Sequence, residues 1–169
     1  MTDIKSDVFN QKSLPGTPKS VPNLAKSGGA LRRATGTIAN GAGDPTGSIY
    51  RLKQLHPRVI LTPDTLINFA AWGFANARLG VIDGSSTVVG GGVAGAEAGL
   101  MAETAVSGLS NPVALVTAFD AKWGKELWEQ AGLSEAPANG AMLDIAIVTT
   151  AAATGAGLCQ FDIVWQAEN

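Results

Sequence analysis

The sequence predicts a mainly β, antiparallel fold: a β-sandwich, of which the jelly roll is one form, with one short helix and an extended N-terminal arm. Apolar and polar residues alternate with period two in several segments after residue 34, and clusters of Gly, Pro, Asn and Asp separate them. Only one segment has helical spacing. At 169 residues the chain is long enough for one domain, which we place at residues 34–169, after an arm of residues 1–33.

The predicted arm is basic, in contrast to the rest of the chain. Residues 1–33 hold six basic and two acidic residues, whereas residues 34–169 hold six basic and twelve acidic ones. Because the arm has several prolines and a single aromatic residue, it buries too little apolar surface to order by itself, and we expect it to order against a partner. A disordered tail is the alternative. The residues expected to contact the partner are Lys5, Phe9, Lys12, Lys19, Lys26, Arg32 and Arg33. The lysines lack interleaved aromatics, so the pattern does not favour nucleic acid.

The first two strands are predicted to form a hairpin. Ala34–Ala39 and Ser48–Leu55 both read as strands, and the run 40–47 between them is rich in turn residues. Alternation within the second strand predicts that Arg51 and Lys53 face solvent.

Further strands are expected in the middle of the chain. Val59–Leu61 leads to Pro63, which cannot donate to a central ladder and therefore ends a strand. One following strand has Thr65, Ile67 and Phe69 on its buried face, and the next has Ala75, Ala77, Leu79 and Val81.

A second hairpin is predicted at the C-terminal end. Leu143, Ile145 and Ile147 share one strand face, and Asp144 is on the other, solvent-facing side. A second strand carries Phe161, Ile163 and Trp165 on its buried face. The small residues of 149–157 are predicted to form the tip that joins them.

One short helix is predicted between the strands. Asp120 is expected to cap its N-terminus and Gly132 to follow its C-terminus, with Leu127 at helical spacing between them. Trp123 and Trp128 are interpreted as packing residues, and an aromatic platform for a sugar is the alternative.

The glycine-rich run 84–99 matches a nucleotide-binding pattern only formally. Gly90, Gly92 and Gly95 have the spacing G-x-G-x-x-G. A dinucleotide site also needs a buried strand before the glycines and an acidic residue about twenty positions on, and both are lacking. We interpret the run as a surface loop and expect no cofactor.

Residue types predict no catalytic and no metal site, and therefore no enzyme. His56 and Cys159 are the only residues of their kinds, which is too few for a Cys/His zinc site within one chain. Carboxylates such as Asp83, Asp120 and Asp162 fall on turns and outward strand faces, although a hydrolase that uses a carboxylate pair assembled by folding remains an alternative. The sequence has no apolar run of membrane-spanning length and no signal-peptide core, so we expect synthesis in the cytoplasm.

Several segments resemble small virion proteins of tailed bacteriophages. The resemblance rests on GTIANGAGDPTGSIYRL (Gly36–Leu52), ARLGVID (Ala77–Asp83), LWEQAGL (Leu127–Leu133) and MLDIAIVTTAAATGAG (Met142–Gly157). It covers most of residues 36–157 and consists of turn and strand patterns, while the arm and the glycine-rich run do not match.

The resemblance implies a capsid-associated protein of the cement or decoration kind. The partner would be the major capsid protein, bound on the outer surface of the shell, and the chain would form a dimer or trimer. It would be made in the host cytoplasm and located on the virion. The alternative from another class is a head-fibre or tail-fibre adhesin that binds a host glycan.

Overall fold

The computed structural model describes residues 30–83, 98–107, 109, 112–116, 121–137 and 141–167. These residues form nine β-strands and one short helix. Their bounds are β1 Leu31–Asn40, β2 Ile49–Leu55, β3 Ile60–Leu61, β4 Leu66–Ala71, β5 Asn76–Asp83, β6 Ala98–Ala105, β7 Val113–Ala114, α1 Leu127–Gln130, β8 Leu143–Thr149 and β9 Gly157–Gln166. The glycines of the G-x-G-x-x-G pattern lie outside the described residues.

The strands form two sheets, and every pairing within them is antiparallel. The first sheet has the order β1-β9-β4-β7, with β3 also beside β9, and the second has the order β2-β8-β5-β6. The prediction of a mainly β, antiparallel fold with one short helix is confirmed.

Both predicted hairpins are wrong. β1 pairs with β9, and β2 pairs with β8, so the links after β1 and after β8 each cross from one sheet to the other. The error has a physical reason: period-two alternation tells which face of a strand is buried but does not tell which strand lies beside it.

One hydrophobic core joins side chains of both sheets. Phe69 and Ile163 come from the first sheet, and Leu79, Ile145 and Ile147 from the second; all five are fully buried. Each such side chain stabilises the fold by roughly 1.5 to 3 kcal/mol. The buried faces predicted for these strands are therefore confirmed, except at Ala75, which precedes β5 and is exposed, and at Phe161, which is partly buried against the core.

Strand β8 is buried on both faces. Ala146 and Val148 alternate with the core residues and form a second small cluster with Ile82. Asp144, which was predicted to face solvent, is 5 % exposed and forms an ion pair with Arg51. The prediction failed because β8 lies in the interior of its sheet, where the ion pair compensates the buried charge.

The helix is shorter than the sequence predicts. α1 begins after Glu126, whose carboxylate and that of Glu129 form a reciprocal capping box, while Asp120 lies outside the described residues. Gly124 has φ +74°, which interrupts helical geometry, so Trp123 lies in the preceding turn. Gly132, at φ +78°, follows the helix as predicted.

The folded part of the chain begins before the predicted boundary at residue 34. β1 starts at Leu31, and Arg32 and Arg33 pair with Trp165 and Val164 of β9. These two arginines therefore belong to a strand and not to the arm. The residues of the arm before Ala30 lie outside the described ranges.

Candidate docking groove

A groove of about 440 Å³ lies where one end of the first sheet meets one end of the second. We call it the basic groove. Arg32 and Trp165 line it from β1 and β9, and Lys53 and Leu55 line it from β2. His56, Val59 and Met142 come from the adjoining loops.

The floor of the basic groove is apolar. Leu55, Val59 and Trp165 are almost fully buried, whereas Met142 is 38 % exposed at the surface. An apolar floor with an accessible methionine provides contact area for an aliphatic or aromatic side chain of a ligand.

Arg32 reaches the groove because of its position in β1. Ala34 and Ile38 pack against the core, so the even-numbered side chains of β1 face the interior. Arg32 has the same parity but lies at the end of the strand, where the side chain reaches the groove.

A β-bulge in β2 places Lys53 at the groove, and Lys53 is exposed, as its alternation in the sequence predicts. The pairing of β2 with β8 shifts between Arg51 and Lys53, so Lys53 is opposite Ile145, whose side chain belongs to the core. Lys53 lines the groove from this position and stays exposed, whereas its neighbour Leu52 is buried. Strict alternation in the sequence carries no signal of the extra residue.

Within the described residues, the cations of the groove have no counter-ion, whereas three arginines elsewhere have one. Arg33, Arg51 and Arg78 are ion-paired with Asp162, Asp144 and Glu103. In the described ranges no carboxylate forms an ion pair with Arg32 or Lys53. Among the described residues, the groove therefore presents positive charge without a counter-ion beside an apolar floor, which suits a ligand with carboxylate or phosphate groups and an apolar side chain.

The structure brings one of the predicted contact residues to this groove. The other arginine at the start of β1, Arg33, points to the opposite face, where its ion pair with Asp162 raises the pKa of the guanidinium. Lys5, Phe9, Lys12, Lys19 and Lys26 lie outside the described residues. Ala167 donates its N–H to the carbonyl of Ala30, so the chain enters β1 beside the groove.

Sequence reasoning missed Lys53, His56, Met142 and Trp165 as groove residues. They come from distant parts of the chain, and only the pairing of β1 with β9 and of β2 with β8 brings them together. The one local signal of this groove in the sequence was Lys53, a basic residue close to the turn at His56-Pro57.

The opposite end of the sheets has a different polar arrangement. The Asn40 side chain donates to the carbonyl of Gly155 at 2.8 Å and accepts from the N–H of Gly73 at 3.0 Å. The Tyr50 hydroxyl donates to Asp44. Burial, together with this bond, raises the pKa of Tyr50 to about 12, and the same bond lowers the pKa of Asp44. These groups satisfy one another.

Other kinds of site find little support in the described part of the chain. It contains no cluster of three His, Cys, Asp or Glu residues that could hold a metal ion, and no helix long and apolar enough to cross a membrane. Cys159 is buried, which raises the pKa of its thiol to about 12.

No protein family, curated protein or solved structure matches this chain.

Proposed function

We propose that this chain is a non-enzymatic structural protein of a virion, which binds the outer surface of a phage capsid and reinforces contacts between major capsid subunits. Attachment would use the basic groove and the arm, and oligomerisation would multiply the contacts. The observation that carries the proposal is that Arg32 and Lys53, at the end where the chain enters β1, have no counter-ion among the described residues.

The strand order supports a β-sandwich of the jelly-roll kind. When the two-residue strand β3 is left out, the first sheet contains the first, last, third and sixth of the remaining strands, and the second contains the second, seventh, fourth and fifth. Two nested Greek keys produce this order, and jelly rolls are the domains of many viral capsids and lectins.

The position of the groove favours attachment by several weak contacts. An arm bound to one subunit would hold the groove near acidic segments of the same subunit or its neighbour, which raises the effective concentration of the second contact. An oligomer adds further copies of both contacts. Because the groove is basic and open, its binding should weaken as salt increases.

A charge substitution in the full-length chain tests the role of the groove. Lys53→Gln should weaken binding to shells of the capsid protein encoded with this chain by at least about tenfold, as measured by cosedimentation over a salt series. The matched control is Lys125→Gln, which removes the same charge outside the groove and should bind normally. Equal binding by both variants would refute the groove as an attachment site.

A truncation tests the role of the arm. Removal of residues 1–29 leaves β1 intact, whereas removal of residues 1–33 would delete three of its residues. The shorter deletion should leave a folded oligomer that no longer decorates shells. If this truncated chain still decorated shells as well as the full-length chain, the arm would have no role in attachment.

A glycan-binding adhesin is the second candidate, and Trp123 favours it. This residue is 49 % exposed, contrary to the expectation that it packs in the core, and an exposed indole can stack on a sugar ring. Trp128 is half-buried and donates to Glu126, as expected of a packing residue. Binding to a glycan array that is lost in Trp123→Ala would support the adhesin, whereas no binding to any glycan would oppose it.

A further inference from the structure

Natural sheets protect their edge strands, and three of the edge strands here have such protection. β7 has two residues. β2 carries Arg51 and Lys53 and a bulge, and β6 carries Glu103 and pairs with β5 through two register shifts. Short length, charge and bulges are the usual means by which proteins prevent a foreign strand from pairing with an edge.

The edge strand β1 lacks these protections over most of its length. It has ten residues, pairs with β9 in one uninterrupted register, and carries no charged residue from Ala34 to Asn40. Within the described part of the chain, β9 is its only ladder partner. β1 therefore presents a long, regular and uncharged edge.

The hydrogen bonds of β9 reveal which backbone groups of β1 point outward. The N–H of Val164 donates to Thr65, and its carbonyl accepts from the N–H of Thr62. Val164 thus directs its backbone away from β1, so its partner Arg33 is in a pair without hydrogen bonds. Pairs alternate along an antiparallel ladder. The outward-facing backbone groups of β1 between its arginines and Asn40 therefore belong to Arg33, Thr35, Thr37 and Ala39.

We propose that β1 pairs antiparallel with β1 of a second copy, so that the first sheets of two copies become one continuous sheet across a two-fold axis. The outward-facing backbone groups run from Arg33 to Ala39, and their centre is Gly36. A two-fold axis at Gly36 places Thr35 opposite Thr37 of the other copy and Arg33 opposite Ala39. Each outward group then has a partner, as in other cases of strand addition.

The charges of β1 favour a second copy of β1 as its partner, and they favour the antiparallel direction. An antiparallel pair places the arginines of each copy against the uncharged end of the other, whereas a parallel pair in register would place them side by side. The charge of Arg33 is already compensated by Asp162 of its own chain. Threonine pairs across strands are also favourable.

Sedimentation velocity and amide exchange of the full-length chain test the pairing together. From micromolar to near-millimolar concentration, we expect a monomer to dimer transition. Exchange at the amides of Thr35 and Thr37 should slow in parallel with it, whereas the amides of Ala34 and Ile38, which bond to β9, should be protected in both states. A chain that stays monomeric, or a dimer in which the amides of Thr35 and Thr37 exchange freely, would overturn the proposal. A different oligomer with those two amides exposed would also overturn it.

Two proline variants in β1 form a matched pair, because one removes an N–H that points outward and the other removes an N–H that bonds to β9. Thr37→Pro removes an outward N–H and should keep the fold while the dimer dissociation constant rises at least about tenfold. Ala34→Pro removes an N–H that bonds to β9 and should instead lower the midpoint of urea unfolding. Dimerisation that survives Thr37→Pro unchanged would refute the pairing. If the Thr37→Pro variant does not fold, the amide exchange rates of Thr35 and Thr37 in the unsubstituted chain decide whether β1 pairs with a second copy.

This inference deepens the proposed function and rests on it only for the role of the dimer in attachment. Shell binding by the Thr37→Pro variant distinguishes a failure of the β1 pairing from a failure of the proposed function. A monomer that still binds shells weakly through the groove would keep the proposed function and the pairing. A stable dimer that binds no shells would leave the pairing intact and refute the attachment role.

Discussion

The two ends of the sheets use polar groups in opposite ways. At the far end, opposite the groove, Asn40 connects Gly73 to Gly155, and Tyr50 bonds to Asp44, so these polar groups satisfy one another within the fold. At the groove end, Arg32 and Lys53 have no counter-ion among the described residues. The difference teaches that substitutions at the far end should affect stability, whereas substitutions at the groove end should affect binding.

The largest effect is expected at Gly73, in the far end. A Cβ atom there would lie 1.9 Å from the carbonyl oxygen of Gly155 and 2.5 Å from Nδ2 of Asn40. Since backbone must shift to remove this clash, Gly73→Ala should lower the free energy of unfolding by about 3 kcal/mol, as measured by urea denaturation.

Gly155→Ala is the matched control, because a Cβ atom at that position meets nothing within 4 Å. It should change stability by less than about 0.5 kcal/mol. If Gly73→Ala were equally well tolerated, the close packing of the far end would not be required for the fold.

The next effect is expected at Asn40. Asn40→Ala leaves the partly buried N–H of Gly73 and carbonyl of Gly155 without their partner, which should cost about 2 kcal/mol in urea unfolding. Gln160→Ala removes an exposed amide on β9 and serves as the control, with an expected change under about 0.5 kcal/mol. Equal losses in both variants would count against a stabilising network at this end.

The sequence predicted the positions and buried faces of the strands much better than it predicted which strands pair with each other. The buried face that carries Thr65, Ile67 and Phe69 could be predicted from alternation, because successive side chains of a strand point to opposite faces. Pairing is decided by contacts between distant segments, so β1 with β9 could not be read from local pattern. Gly132 was predicted correctly because a glycine after a helix is a local requirement.

The basic groove was predicted only at Arg32, and for a reason that the structure changes. Arg32 was assigned to an extended N-terminal arm, but it lies in β1, at the end of the row of side chains that faces the core. Lys53 was assigned correctly to the exposed face of its strand, but alternation carries no mark of the bulge that places it at the groove. A site made by the ends of strands in two sheets requires the topology before it can be located.

A pH experiment tests the far end with a smaller effect. The folded pKa of Tyr50 is raised to about 12, so the tyrosine ionises more readily in the unfolded chain. Its contribution is present at neutral pH and is lost as pH rises from the ordinary value near 10 toward 12. Because Tyr50 is only partly buried, solvent screening reduces the free energy that this pKa difference represents. Tyr50→Phe should therefore flatten the fall in stability over that interval by about 1 kcal/mol, as followed by urea unfolding at several pH values.

Cys159 titrates in an overlapping interval, since burial raises its thiol pKa from 9 to about 12. The informative quantity is therefore the difference between the parent chain and Tyr50→Phe at each pH. Identical alkaline slopes in the two proteins would show that Tyr50 is no more protected from ionisation in the fold than in the unfolded chain.

The smallest effect is expected at the groove end, where Arg32→Gln combined with Lys53→Gln should change stability by no more than about 0.5 kcal/mol. Any change should be a gain, because two like charges around one groove repel each other, and it should shrink as salt increases. Lys125→Gln provides the single-charge control. A loss above about 1 kcal/mol in the double variant would mean that the fold compensates these cations, as Asp144 compensates Arg51. The groove end would then stabilise the fold as the far end does, and the contrast between the ends would not hold.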